Sequence, residues 1–293
     1  MGEHHGIGDF EGRVAFVTGG ARGIGRGIVR ALLRRGANIA IADISSAALE
    51  EVCRELGEPG ERVRTYQLDV SDRGAYAEVG AAVARDLGEV TLLFNNAGII
   101  DSVSPSQLNY RMWDYVMGIN LAGVYNGIQT FVPAMLTSPH RCHVVNTASE
   151  AGLLEAGSGF LYHASKYAVV GMSESLRREL AHSGVGVSVL FPGPVATDIV
   201  QNTRHLRPDD TPPHSARVTA ILDTAHRILN DAGARPDDVG ELVLDAVEHD
   251  LPYIATRNGL SDMLDARNAE LRTAMEHAER FLAERGTAAA PAR

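Results

Sequence analysis

The stretch "LYHASKYAVV" (161–170) contains Lys166, the only lysine among the chain's 27 lysines and arginines, and Tyr162 stands four residues before it. On a helix, that spacing puts both side chains on one face, a turn apart. A phenol with an ordinary pKa near 10 is a poor proton carrier at neutral pH, but a close ammonium favours its phenolate by on the order of one to three units. That shift brings it toward the range for general acid–base work. An ammonium on a flexible stem also turns to sugar hydroxyls while facing the ring, which a planar guanidinium does less readily. A lone lysine falls four places after one of eight tyrosines by chance about 3% of the time. The spacing therefore needs company, the alternative being a surface pair with a half-buried tyrosine.

Other polar residues supply it. Ser149 ends "CHVVNTAS", at the carboxyl edge where open α/β sheets bind ligands. Its hydroxyl there holds a substrate oxygen or caps a turn. Asn120, in "GINLAGVYNG", is odd in a buried helix unless it binds water or backbone. Upstream, "VAFVTGGARGIGRGIVRALLRRG" sets Gly19, Gly23 and Gly25 between a strand and a helix. Such a turn lets backbone approach a pyrophosphate while the helix start presents unpaired N–H groups. Asp43, at the end of "IAIAD", is placed to accept from the adenosine ribose and to repel a 2′-phosphate, favouring NAD over NADP. Arg22, inside the glycine turn, pulls toward NADP. Asp69 and Val70 follow the third strand where an adenine would lie, although Asp69, Ser71 or Asp72 could instead cap the next helix. "NNAG" (95–98) follows the fourth strand, either as a cofactor-side turn or as a plain polar turn.

These residues need elements to hold them in place. Short apolar runs at 13–18, 38–43, 62–69, 90–98, 142–149, 186–193 and 251–257 alternate with helical patterns. Continuous apolar strands covered on both faces predict a single α/β domain, a Rossmann-type doubly wound parallel sheet of about seven strands. Residues 194–236 form a long insertion before the last strand, of the kind that serves as a lid or as variable surface. Leu260, Met263, Leu264, Leu271, Met275, Ala278, Phe281 and Leu282 recur at helical spacing and predict a helix over 260–285 with one face packed on the core or on a partner subunit. The end, "GTAAAPAR", reads as frayed.

Composition narrows the function classes. A net charge of −10 without a basic run argues against nucleic acid. Two cysteines, Cys53 and Cys142, give neither a disulfide framework nor a metal cluster and fit a cytoplasmic protein. The His4–His5 pair lacks a third ligand in register, so no metal is expected. No apolar run has the length of a signal peptide core or a membrane span.

Taken in order, "TGGARGIG" (18–25), Asp43, "NNAG", Asn120, Ser149, "YHASK" (162–166) and "PGPVATD" (192–198) resemble the short-chain dehydrogenase/reductase family over roughly residues 10–257. The resemblance implies an enzyme that moves hydride directly between a nicotinamide cofactor and a secondary alcohol or ketone, with no metal. It implies that Tyr162 is the general acid or base, that Lys166 lowers its pKa and holds the nicotinamide ribose, that Ser149 positions the substrate oxygen, and that Asn120 anchors a proton-relaying water. Gly19, Arg22, Gly23, Ile24, Gly25, Asp43, Asp69, Val70, Asn96, Ala97, Gly98, Tyr162, Lys166, Pro192, Val195 and Thr197 would then line the cofactor. Family members are dimers or tetramers packed through helices corresponding to 106–137 and 160–182. The competing expectations are an NADPH-dependent biosynthetic ketoreductase using Arg22, and a non-catalytic nucleotide-binding sensor or scaffold. The chain departs from the family pattern before the fifth strand, where Arg141 and Cys142 replace a usual glycine. "RHLRP", "YIATR" and the C-terminal helix resemble a branch that includes Cα-dehydrogenases of lignin-derived aryl alcohols, and Leu153, Leu154 and Phe160 point to an apolar pocket.

Overall fold

The computed structural model describes residues 6–57, 60–154 and 159–285. The His4–His5 pair and the "GTAAAPAR" tail lie outside them. Alternation of apolar runs and amphipathic segments produces β1 (Val14–Thr18), α1 (Gly23–Arg34), β2 (Asn38–Asp43), α2 (Ser46–Glu55), β3 (Val63–Gln67), α3 (Arg73–Asp86), β4 (Val90–Asn95), α4 (Tyr110–Met117) and α5 (Gly123–Met135). These are followed by β5 (Cys142–Thr147), α6 (Phe160–Glu179), β6 (Val185–Phe191), α7 (Ile199–Leu206), α8 (Ala216–Ala232), α9 (Pro236–Glu248), β7 (Tyr253–Ala255) and α10 (Leu260–Glu284). The strands form one parallel sheet in the order β3-β2-β1-β4-β5-β6-β7. This is the doubly wound sheet that the sequence predicts. The chain reverses direction across the sheet between β1 and β4, and that switch point opens the crevice in which such folds bind ligands.

Successive side chains of each strand serve opposite faces. Ala15 and Val17 of β1 join Ile28, Leu32, Leu49, Val243 and Val247, so α1, α2 and α9 cover one face. Val14 and Phe16 join Tyr76, Ile128, Phe131 and Val169, so α3, α5 and α6 cover the other. The alternation explains why the strands read as unbroken apolar runs in the sequence. Where the family has glycine before β5, the strand here begins at Cys142, whose N–H bonds Gly184 O at 2.9 Å, while Arg13 Nη1 donates to Arg141 O at 2.7 Å. The substituted turn is held by specific bonds.

The long insertion is largely helical. A parallel bridge between Val195 and Ala234 closes its base, so α7 and α8 rise from a pinned stem. The chain divides into two compact units, one running to Thr256 and the other beginning at Arg257. The second unit is essentially the single helix α10, on which Met263, Leu271, Met275 and Phe281 are exposed. No described helix is long and apolar enough to cross a membrane.

Helices α1 and α9 pack backbone to backbone. A Cβ on Gly240 would lie 2.3 Å from Gly27 O, and one on Gly27 would lie 2.0 Å from Pro236 O. Gly→Ala in a helix normally gains about 1 kcal/mol. Here the overlap reverses the sign, and Gly240→Ala is expected to destabilise by about 1–3 kcal/mol. Urea denaturation followed by circular dichroism checks this; an unchanged or raised midpoint would contradict the close packing.

Candidate active site

The first turn of α6 carries Tyr162, and Lys166 lies one turn further on the same face, both buried. Lys166 Nζ donates to Thr147 O at the end of β5 at 3.0 Å and sits 5.7 Å from the centroid of the Tyr162 ring. Ser149, just past β5, acts on the Tyr162 hydroxyl to lower its pKa, and its Oγ accepts the Ala151 N–H at 3.2 Å. Of the two roles the sequence leaves open for this hydroxyl, the turn cap is the one present in the structure.

Asn120 is fully buried in a single π-helical turn, Gly118–Ala122, between α4 and α5. A π turn inside an α-helix opens the backbone ladder locally, and such turns cluster at functional sites. Asn120 Oδ1 accepts Ile99 N–H at 2.9 Å, while Nδ2 donates to Ile99 O at 3.0 Å and to Ser165 Oγ at 3.1 Å. Both amide hydrogens are thus engaged. Of the two ways to satisfy this residue, backbone is the one realised by the side chain.

Burial sets the titration of the pair. It pushes Tyr162 above the usual phenol value; Ser149 opposes that rise and the Glu150 carboxylate adds to it. Burial also drives Lys166 down to about 8. The expected lowering of the tyrosine, which rests on the lysine together with a cationic nicotinamide, is not reached by the protein alone: burial keeps the phenol above its ordinary value.

The glycine turn stands beside this cluster. Gly19 and Gly23 have φ of +59° and +50°, and a Cβ on Gly23 would lie 2.8 Å from Thr197 Cγ2. On Gly25, a Cβ would lie 2.2 Å from Gly19 O. Helix α1 opens after Arg22 with no side-chain cap and no acidic residue in its first turn, so nothing competes with an anion for its N–H groups. Ile24 is partly buried against the core. Asp43 accepts Ala21 N–H at 3.3 Å and Ser45 N–H at 3.1 Å. Burial raises its pKa, opposed by those bonds and by the nearby Arg22 charge. Arg22 itself donates to Asn202 Oδ1 of α7 at 3.0 Å. This cradle, closed to any Cβ yet rich in N–H groups, fits a dinucleotide.

The remaining predicted residues lie on adjacent strand ends. Asp69 binds the Ser71 N–H and hydroxyl, while Asp72 caps α3 through Gly74 and Ala75, so Asp69 is not the helix cap. Val70 is buried, and its carbonyl accepts from Asn126 at 2.8 Å. Asn96 Nδ2 donates to Thr18 O at 3.1 Å, a Cβ on Gly98 would lie 3.4 Å from Lys166 Nζ, and Ala97 N–H bonds Thr18 Oγ1 at 3.0 Å. Pro192 O accepts from Glu150 N, and Val195 is buried. Leu154 is buried and Leu153 packs against the core, so core packing explains both leucines; Phe160 is exposed and lines a cavity.

Sequence reasoning missed three contributors. Thr18 joins β1 to the "NNAG" turn through its hydroxyl, which also accepts Asn96 N–H at 2.9 Å. Ser165 links Asn120 to Tyr162 O, donating to the latter at 2.7 Å. Thr147 supplies the lysine's carbonyl. Thr18 opens the glycine motif and Ser165 lies inside "YHASK", so position within a motif was the available signal. A mainly apolar cavity of about 520 Å³ opens nearby, between Ser102–Pro105, the start of α6 and Val218, Ile221 and Leu222 of α8.

The family model for short chain dehydrogenase matches residues 13–208. The chain belongs to the short-chain dehydrogenase family. Its relatives include a C alpha-dehydrogenase of a Sphingobium species, 33% identical over 88% of this chain and 86% of that protein. Another is a 3-oxoacyl-[acyl-carrier-protein] reductase of Thermotoga maritima, 31% identical over 83% and 94%. A short-chain dehydrogenase from Burkholderia phymatum, solved in complex with NAD, superposes with a TM-score of 0.86 at 30% identity, covering 91% of this chain and 96% of that one. As a short-chain dehydrogenase, the protein is an oxidoreductase acting on CH–OH groups with a nicotinamide cofactor.

The buried lysine has a pH signature. Because its native pKa is about 8 against an ordinary 10.5, the unfolded chain binds more protons between those values, so this group's contribution to stability rises with pH across that window. Lys166→Met removes the penalty. Its melting temperature should exceed that of the parent at pH 7, with the difference shrinking toward pH 10; a pH-independent difference would mean the ammonium is not desolvated.

Proposed function

We propose that the protein is an NAD-dependent oxidoreductase interconverting a secondary alcohol and a ketone, with Tyr162 as general acid–base. The observation that carries this reading is buried Lys166, held on Thr147 O over the Tyr162 ring, with Ser149 at the same strand end and a glycine cradle beside Asp43. The bound nicotinamide supplies or accepts the hydride. Ser149 and the Tyr162 hydroxyl hold the substrate oxygen, and Tyr162 passes the proton to or from it. Lys166 holds ribose hydroxyls and, once a phenolate forms, stabilises that charge. Since the Asn120 amide hydrogens are taken, a relay water is held by the main chain of Asn120.

Asp43 supports NAD because its carboxylate, fixed by two backbone N–H groups, repels a 2′-phosphate. Arg22, tied to Asn202, is drawn away from that role. The NADPH-dependent ketoreductase remains the second reading, supported by likeness to the Thermotoga reductase. A sensor or scaffold would have no need of four occupied catalytic positions. The resemblance of "RHLRP", "YIATR" and the C-terminal helix to Cα-dehydrogenases of aryl alcohols supports an aryl-bearing alcohol as substrate. Cytoplasmic residence suits the free thiols of Cys53 and Cys142.

Assembly into a homodimer or homotetramer is supported by Tyr110, Trp113, Tyr125, Leu136 and Phe160, large apolar side chains exposed on or just beside α4–α6. Light scattering should return a mass above one chain, lowered by Tyr125→Glu; a monomer would reject assembly. For the chemistry, Tyr162→Phe should lower kcat by at least about a hundredfold while NADH still binds by fluorescence titration. Wild-type protein should turn over aryl secondary alcohols faster with NAD than with NADP. Unchanged activity in the variant would reject the mechanism, and a strong NADP preference would reject the cofactor assignment.

A further inference from the structure

Four consecutive residues after the "NNAG" turn are each tied to a different part of the molecule. Ile99 exchanges two hydrogen bonds with Asn120. Ile100 N–H donates to Thr203 Oγ1, a fully buried hydroxyl of α7, at 3.0 Å. Asp101 is 0% exposed; both its oxygens accept from Arg207 Nη1 at 2.6 Å, and His214 Nε2 lies 2.7 Å from Oδ1. Ser102 Oγ accepts the N–H of Leu161, the residue before Tyr162, at 3.4 Å.

A carboxylate out of water is strongly unfavourable unless it is paired and hydrogen-bonded. Both side chains that pair with Asp101 come from the insertion, and Arg207 is braced further by Thr211 Oγ1 at 3.0 Å and Pro212 O at 2.8 Å. Lifting the insertion would strand the carboxylate in an apolar loop. Val218 and Leu222 of α8 line the same cavity as Ser102 and the residue after it, Val103, so this contact also sets the cavity's width.

We infer that Asp101 is a positioning residue: it clasps the insertion through Arg207 and His214, and through the strap 99–102 it couples that clasp to Asn120 and to the turn bearing Tyr162. Closure over the substrate and alignment of the proton donor are then one event. This rests on the oxidoreductase reading above.

The test compares wild type, Asp101→Asn, Arg207→Gln, Thr203→Val and Asp101→Asn/Arg207→Gln by amide hydrogen exchange and by steady-state kinetics on an aryl secondary alcohol. Misalignment should cut kcat/KM of Asp101→Asn by about tenfold to a hundredfold, lowering kcat as well as raising KM, with NADH affinity unchanged. Exchange should rise across 199–232 and also at Ile99 and Leu161, and the double variant should lose no more than the worse single one. Exchange rising in the insertion alone with kcat intact, or additive losses, would overturn the coupling. Thr203→Val cuts the strap without touching a charge; if Asp101→Asn does not fold, this variant decides, and unchanged exchange at Ile99 and Leu161 in it rejects the proposal. If wild type oxidises no alcohol and reduces no ketone, the oxidoreductase reading falls, while exchange at Ile99 and Leu161 still judges the strap.

Discussion

An ammonium taken almost wholly out of water is the constraint around which the site is arranged. Lys166 is 4% exposed, and its ammonium donates to a neutral carbonyl, Thr147 O. Such a bond does not replace a hydration shell, which is why its pKa falls to about 8. Holding it there requires α6 to dock tightly. A Cβ on Gly152 would come within 2.8 Å of Lys166 O, and Ser173 anchors the same helix to Asn146 of β5 at 3.0 Å. Asn146 in turn accepts from Asn95 of β4 at 2.9 Å. A buried chain of neutral amides and hydroxyls thus runs beneath the catalytic edge, and fully satisfied networks of this kind favour one packing over others.

The same desolvation explains why the tyrosine–lysine pair is poised rather than active without a ligand. Burial raises the phenol, which keeps its proton, and lowers the lysine to about 8, which brings its proton loss close to neutral pH. A phenolate beside an ammonium in a low-dielectric site is another matter, because each charge then supplies the counterion that the other lacks. Proton movement at Tyr162 is therefore coupled to whatever fills the space next to it.

Much of this was legible in the sequence because it follows local rules. Alternating apolar runs and helices set the sheet, and each strand end then delivered its motif to one edge: the glycine turn after β1, Asp43 after β2, "NNAG" after β4 and Ser149 after β5. Tyr162 and Lys166 followed from a single helical turn. Pairings over long chain separations were not legible. Asp101 meets Arg207 across 106 residues and His214 across 113, and nothing in "IIDSVSP" or "RPDDTPPH" marks the other as its partner. The direction of the Tyr162 shift was missed for a related reason: a sequence supplies the charged neighbour, but the depth of burial belongs to the fold.

The insertion shows how the two kinds of information combine. Its length marked it as a lid or as variable surface, and its geometry separates those roles. A surface excursion would need only its pinned stem at Val195 and Ala234. This one also contacts three points of the sheet edge: the glycine turn through Arg22 and Asn202, Ile100, the residue after the one bonded to Asn120, through Thr203, and the buried Asp101 through Arg207. The glycine turn is one hydrogen bond from α7, and Asn120 is joined to it through Ile99 and Ile100. A ligand that orders the insertion therefore acts on nucleotide and substrate positions together, by the reciprocity that any binding linkage demands.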